Sequence, residues 1–141
     1  DLTTVFNDPI GFTLVDTGMD AAIPFITAVA DVTILNVGLD EMGVAAMIDS
    51  FGDSVATLVV GVALEGFGMP EEWKTQLCAP DASQIRTTPA GYTGVYCPGP
   101  PGSGLVEIFT ITEGDIGVTI GLVDEFYFVE DLIDAFLLAN F

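Results

Sequence analysis

The sequence predicts an α+β fold: a single domain, mostly β-sheet, with two or three short amphipathic helices. Three observations lead there. Apolar and β-branched runs at residues 32–37, 55–64, 105–112 and 116–123 are bounded by Gly, Pro, Asn or Asp, which is how strands are punctuated. Two other stretches, 40–51 and 126–138, place apolar residues at helical intervals. The chain of 141 residues has the length of one domain with one sizeable core.

In chain order, residues 3–6 and 10–15 read as strands separated by the turn residues Asn7, Asp8 and Pro9. Thr17 or Asp20 is placed to cap a short helix through Ala30, although Pro24 suits that helix poorly and an extended 25–29 competes with it. The stretch 32–67 reads as strand, helix, strand. Asp40 offers an N-cap, and Val44, Met47, Ile48 and Phe51 form one helical stripe. Gly52 is placed to end that helix as a left-handed residue. Residues 55–64 are almost unbroken apolar residues around Gly61, the pattern of a strand covered on both faces.

Pro70 with Glu71 and Glu72 opens a short helix through Trp73, acids first. Residues 79–104 hold most of the prolines and five glycines, and read as a surface loop that Tyr92 and Tyr96 pack against the body. A hairpin follows at 105–112 and 116–123, turning at Glu113-Gly114-Asp115. The final helix starts near Phe126, with Val129, Leu132, Ile133 and Phe136 on its buried stripe and Glu130, Asp131 and Asp134 facing away. The order strand, acidic pair, amphipathic helix occurs twice: Val32-Thr33-Ile34, Asp40-Glu41 and Ile48-Asp49 against Val118-Thr119-Ile120, Asp124-Glu125 and Ile133-Asp134. A pair of pseudo-repeated β–α units is a variant of the fold on this pattern.

Half of the residues are hydrophobic, yet 21 acidic residues stand against two basic ones, Lys74 and Arg86, for a net charge of −19. Such a chain repels phosphates and has no basic patch, so nucleic acid is not an expected partner. No apolar run reaches the roughly 18–20 uninterrupted residues of a transmembrane helix. The self-repulsion is relieved by salt, bound cations or a pH near the sequence pI of 4.1. A chain beginning at Asp1 reads as processed, and the expected location is secreted or cell-surface. In that setting Cys78 and Cys97, flanking the Pro/Gly-rich loop, are expected to form a disulfide, with two buried free thiols as the alternative.

The chain has no His, which removes imidazole bases and the Ser-His-Asp and Cys-His arrangements. Two cysteines without His cannot make an ordinary zinc site. The acid pairs Asp40/Glu41, Glu71/Glu72 and Asp124/Glu125 sit at expected helix starts, where capping explains them better than calcium binding does. No metal and no cofactor is expected.

Phe12-Thr13-Leu14-Val15-Asp16-Thr17-Gly18 resembles the hydrophobic-hydrophobic-Asp-Thr-Gly signature of the aspartic proteases. The resemblance implies Asp16 as a catalytic carboxylate in a turn shaped by Thr17 and Gly18. That chemistry needs two aspartates sharing a proton, and the motif occurs once, so two copies would have to pair. The family also packs a hydrophobic-hydrophobic-Gly segment under that turn, for which Thr119-Ile120-Gly121 or Val59-Val60-Gly61 are the available sequences.

The reading that accounts for most of the composition is a non-catalytic structural subunit that assembles with itself into a filament, sheath or surface layer. Apolar residues exceed what one small core needs, and interfaces absorb the surplus. Leu2, Val5 and Phe6 near the start, with Phe136, Leu137, Leu138 and Phe141 near the end, are the expected self-association residues. The alternatives are the aspartic-protease-like dimer and a small carrier of an apolar ligand.

Overall fold

A computed structural model describes residues 6–17, 39–63, 68–69, 73 and 83–141. They form a seven-stranded antiparallel sheet and, among the described residues, one long helix at the C-terminus. The strands are β1 (Phe12–Asp16), β2 (Leu39–Asp49), β3 (Ser54–Ala63), β4 (Gln84–Thr87), β5 (Thr93–Pro98), β6 (Glu107–Glu113) and β7 (Ile116–Leu122). Helix α1 is Val129–Asn140. The order across the sheet is β1-β2-β3-β7-β6-β5-β4, so two meanders meet at the β3/β7 pair in the middle.

Pleat alternation assigns each side chain to a face. On one face the register aligns Leu14, Met47, Ala56, Leu122 and Glu107 across five strands, and beside them Ala45, Leu58, Ile120, Phe109 and Tyr96. Helix α1 lies on this face against β6 and β7. It buries Val129, Leu132, Ile133, Phe136 and Leu137 on the strands, and these residues form the main core. Phe128 at the N-cap makes no side-chain cap bond; Glu130 and Asp131 in the first turn complement the helix dipole instead. At the other end Asn140 clamps the incoming chain: its Oδ1 accepts from the Asn7 backbone N–H at 2.6 Å, and its Nδ2 donates to the Asn7 carbonyl at 3.1 Å.

The opposite face is buried too. Val59, Ile108, Thr110 and Thr119 are all fully buried there, and Thr119 Oγ1 donates to Thr110 Oγ1 across the β6/β7 pair at 2.8 Å. Near one end of the β3/β7 pair Gly61 faces Gly117 in register, and Trp73, in helical conformation, lies over the two glycines.

The expected helix over 40–51 is the strand β2. Met47 faces the α1 side and Val44 the other, each under a cover, so the strand lacks the period of two and its apolar residues fall by coincidence at helical spacing. Phe51 is therefore not on a buried stripe; it is 87% exposed in the turn between β2 and β3. Gly52 does take a left-handed conformation (φ 85°), in that turn rather than at a helix end.

Residues 79–104 are not all loop, because they include β4 and β5. Tyr96 is in the core and Tyr92 packs at its edge. Among the described residues the two expected β–α units do not match. Asp40-Glu41 lies inside β2 whereas Asp124-Glu125 precedes α1, and Ile48-Asp49 ends a strand whereas Ile133-Asp134 is helical. Asp134 does not face away but is buried, with Oδ2 accepting from the Ala90 N–H at 2.9 Å. The hairpin turn at Gly114 (φ 59°), the two-faced strand β3 and helix α1 stand where the sequence puts them. The expected strand at 32–37 lies outside the described residues, as do the expected helix through Ala30 apart from its cap candidate Thr17 and the expected helix 70–73 apart from Trp73, which is helical. No described helix is long and apolar enough to cross a membrane.

Candidate interaction surfaces

Asp16 is the exposed last residue of β1, in register with Ala45 of β2. The Thr17 N–H donates to the Val44 carbonyl at 3.2 Å, which continues the β1–β2 pairing past the strand end. Neither Thr119-Ile120-Gly121 nor Val59-Val60-Gly61 lies next to β1, because β2 intervenes. Gly18 is outside the described residues. Among those residues no group of three acids or cysteines is arranged to hold a metal ion. Asp124 behaves as a turn cap: its Oδ1 accepts from the Phe126 N–H at 2.9 Å.

Cys97 on β5 is buried and is not a free thiol. Its expected partner, Cys78, lies outside the described residues. Arg86 on β4 is fully engaged. It ion-pairs with Glu130 of α1 at 3.0 Å, donates twice to Gln84 Oε1, and stacks 3.4 Å from the centre of the Tyr96 ring. It ties the helix start to the sheet edge.

An apolar pocket between Phe6, Leu14, Ala45, Leu58 and Val60 has room for about 10 Å³, the space of one water, whereas ligand pockets run to hundreds. Of the residues expected to mediate self-association, Phe136 and Leu137 are wholly buried in the core, because the helix needs them against β6 and β7. They are removed from the interface. Phe6 is half-buried, its ring tilted against those of Phe136 and Phe141 at separations of 5.4 and 6.2 Å. Leu138 and Phe141 are exposed, and Leu2 and Val5 lie outside the described residues. Leu138 joins Ile10, Ala135 and Ala139 around a groove of about 280 Å³ on the outer side of α1. Ile10 is the missed member of this set. Its place after Pro9 made it look like the start of a strand, yet it is 95% exposed.

A second exposed set lies at the end of the sheet where the β2–β3 turn meets the segment before α1. The Val123 and Asp124 N–H groups both donate to the Val55 carbonyl and hold the two turns together. Asp49 organises the joint: Oδ1 accepts from the Phe51 and Asp53 N–H groups, and Oδ2 from the Tyr127 hydroxyl at 3.1 Å. The Asp53 N–H, first among these donors, helps hold the Asp49 carboxyl below its usual range. Burial, then the bond to Asp49, push Tyr127 above its ordinary value, with the charges of Asp49, Asp124 and Asp53 adding to the effect. Around this joint Phe51, Phe126 and Phe128 all point outward. The sequence hides them: Phe51 fits the false stripe, and Phe126 and Phe128 fall in the expected first turn of the final helix, which begins only at Val129.

Compared with protein family models, curated proteins and solved structures, the chain matches none.

Proposed function

We propose that the protein is a non-catalytic, exported structural subunit that associates with copies of itself. The observation that carries the reading is the apolar groove beside α1, where Ile10 and Leu138 are left to solvent and Phe141 lies exposed at the helix end. Large apolar side chains clustered on a surface favour burial against a partner at about 25 cal/mol per Å² of apolar area. Opposing this is the charge of −19, which copies of the chain share. Association is therefore expected to strengthen at high salt or near the pI and to weaken at neutral pH and low ionic strength.

Light scattering and sedimentation under both regimes test this. The expected result is an assembly in acid or high salt that Leu138→Asp together with Ile10→Asp disperses. A single-subunit mass at high protein concentration in both regimes would remove the proposal.

A further inference from the structure

We propose that the sheet end carrying Phe51, Phe126 and Phe128 is a docking site for a cationic amphipathic segment of another protein. The three rings are 87%, 87% and 69% exposed, although each backbone is fixed. The Asp49 carboxylate holds Phe51, the Asp124 carboxylate holds Phe126, and Phe128 is the N-cap of α1. Solvent-facing aromatics on a fixed backbone are anchors that interfaces use, since each brings a large apolar area.

Charge selects the occupant. Asp53 and Glu125 are exposed close in sequence to Phe51 and Phe126, Asp49 and Asp124 hold the same turns, and no Lys or Arg is among residues 49–55 or 123–131, Arg86 reaching this stretch only to pair with Glu130. A nucleic acid and an anionic lipid surface would each bring negative charge to this rim, and a second copy of this chain, with its net charge of −19, would meet it only where salt or acid relieves the repulsion. A segment with apolar residues on one side and Lys or Arg on the other matches both features: its apolar side covers the rings and its cations meet the carboxylates. The groove beside Leu138 lies toward the other end of α1, so this site does not depend on self-association.

The probe is a synthetic amphipathic peptide of leucine and lysine, with a leucine–glutamate peptide and zwitterionic vesicles as controls, measured by calorimetry against the full chain. The expected result is salt-sensitive binding of the lysine peptide alone. It should fall about tenfold or more in Phe126→Ser/Phe128→Ser and also fall in Asp53→Asn/Glu125→Gln. Near-ultraviolet circular dichroism of each variant checks that the fold is retained. Hydrogen-exchange protection on peptide addition should concentrate at residues 49–55 and 123–128. No binding, equal binding of the glutamate peptide, vesicle binding in place of peptide binding, or lysine-peptide binding unchanged in the folded aromatic variant would each overturn the proposal.

Discussion

The indole of Trp73 lies so close over Gly117 that a Cβ there would sit 2.6 Å from its Cε2 and 2.5 Å from the Met69 methyl. Gly61, the register partner of Gly117, lies under the same ring, and a Cβ on it would sit 2.7 Å from Cζ3. Two glycines side by side on adjacent central strands leave a trough one methyl deep on each, and the chain's single Trp fills it. Gly117→Ala is expected to destabilise the fold by about 1–3 kcal/mol through overpacking, since the crowded ring atoms cannot swing away as the end of a flexible chain would. Denaturant unfolding followed by Trp fluorescence measures both the loss and the displaced indole. A change below about 0.5 kcal/mol would show that the trough has slack.

The two aromatic residues once assigned to equivalent stripes should behave oppositely. Phe136→Ala removes a wholly buried ring and is expected to cost ~3–5 kcal/mol, whereas Phe51→Ala, at an exposed turn, should cost below about 0.5 kcal/mol. Equilibrium unfolding of the two single variants gives the comparison directly.

Acid stability should depend on Asp49. Its carboxyl is held below the ordinary 3.8, so its contribution is present above that value and is lost as pH falls through the lowered one. Asp49→Asn, which cannot carry the charge, is expected to flatten the unfolding midpoint against pH below about 4. At the alkaline end Tyr96 and Tyr127 are raised above 10.0, each first by burial. They favour the fold below that pH, and the support is lost as pH rises through their raised values. Tyrosinate absorbance should therefore show two late transitions, and Tyr127→Phe should remove one.

Cys78 and Cys97 are expected to be bonded to each other. Intact mass after alkylation, with and without prior reduction, reads this out. The bridge should contribute ~3 kcal/mol for a loop of about 20 residues, and its reduction should lower the denaturation midpoint. Two alkylated thiols without reductant would count against both the bond and the extracellular setting.

Asp16→Asn is expected to leave stability and assembly unchanged, and no acid peptidase activity is expected from either protein. Cleavage of a peptide substrate that the variant abolishes would restore the protease reading.

What the sequence conveyed depended on how far each element is specified by its own residues. The β6–β7 hairpin carries its turn glycine and α1 carries a full apolar stripe, and both were legible. The strand β2 was not, because burial on two faces erases alternation; only its pairing with β1 and β3 makes it a strand. The four-residue β4, Gln84–Thr87, is likewise too short to be marked by its own residues and is held by β5 and by the Arg86–Glu130 pair. At the sheet end, nothing in the sequence marks Phe126 and Phe128, which precede the buried stripe at Val129, as exposed. Their exposure follows from Tyr127, the residue between them, being drawn inward to Phe12 and Asp49.

The junction of the two meanders also bears on how the chain reaches this state. Within each meander every strand pairs with its neighbour in sequence, over connections shorter than the span from β3 to β7, the longest being the 22 residues between Asp16 and Leu39. The β3–β7 seam joins Val62 to Ile116 and Ala56 to Leu122, across everything between them. Its closure entropy falls due in one step, before the core under α1 can repay it. That late seam is a kinetic bottleneck. Until it closes, the facing edges of β3 and β7 stay open, and an unjoined half could take the matching edge from a neighbouring molecule, exchanging meanders between chains.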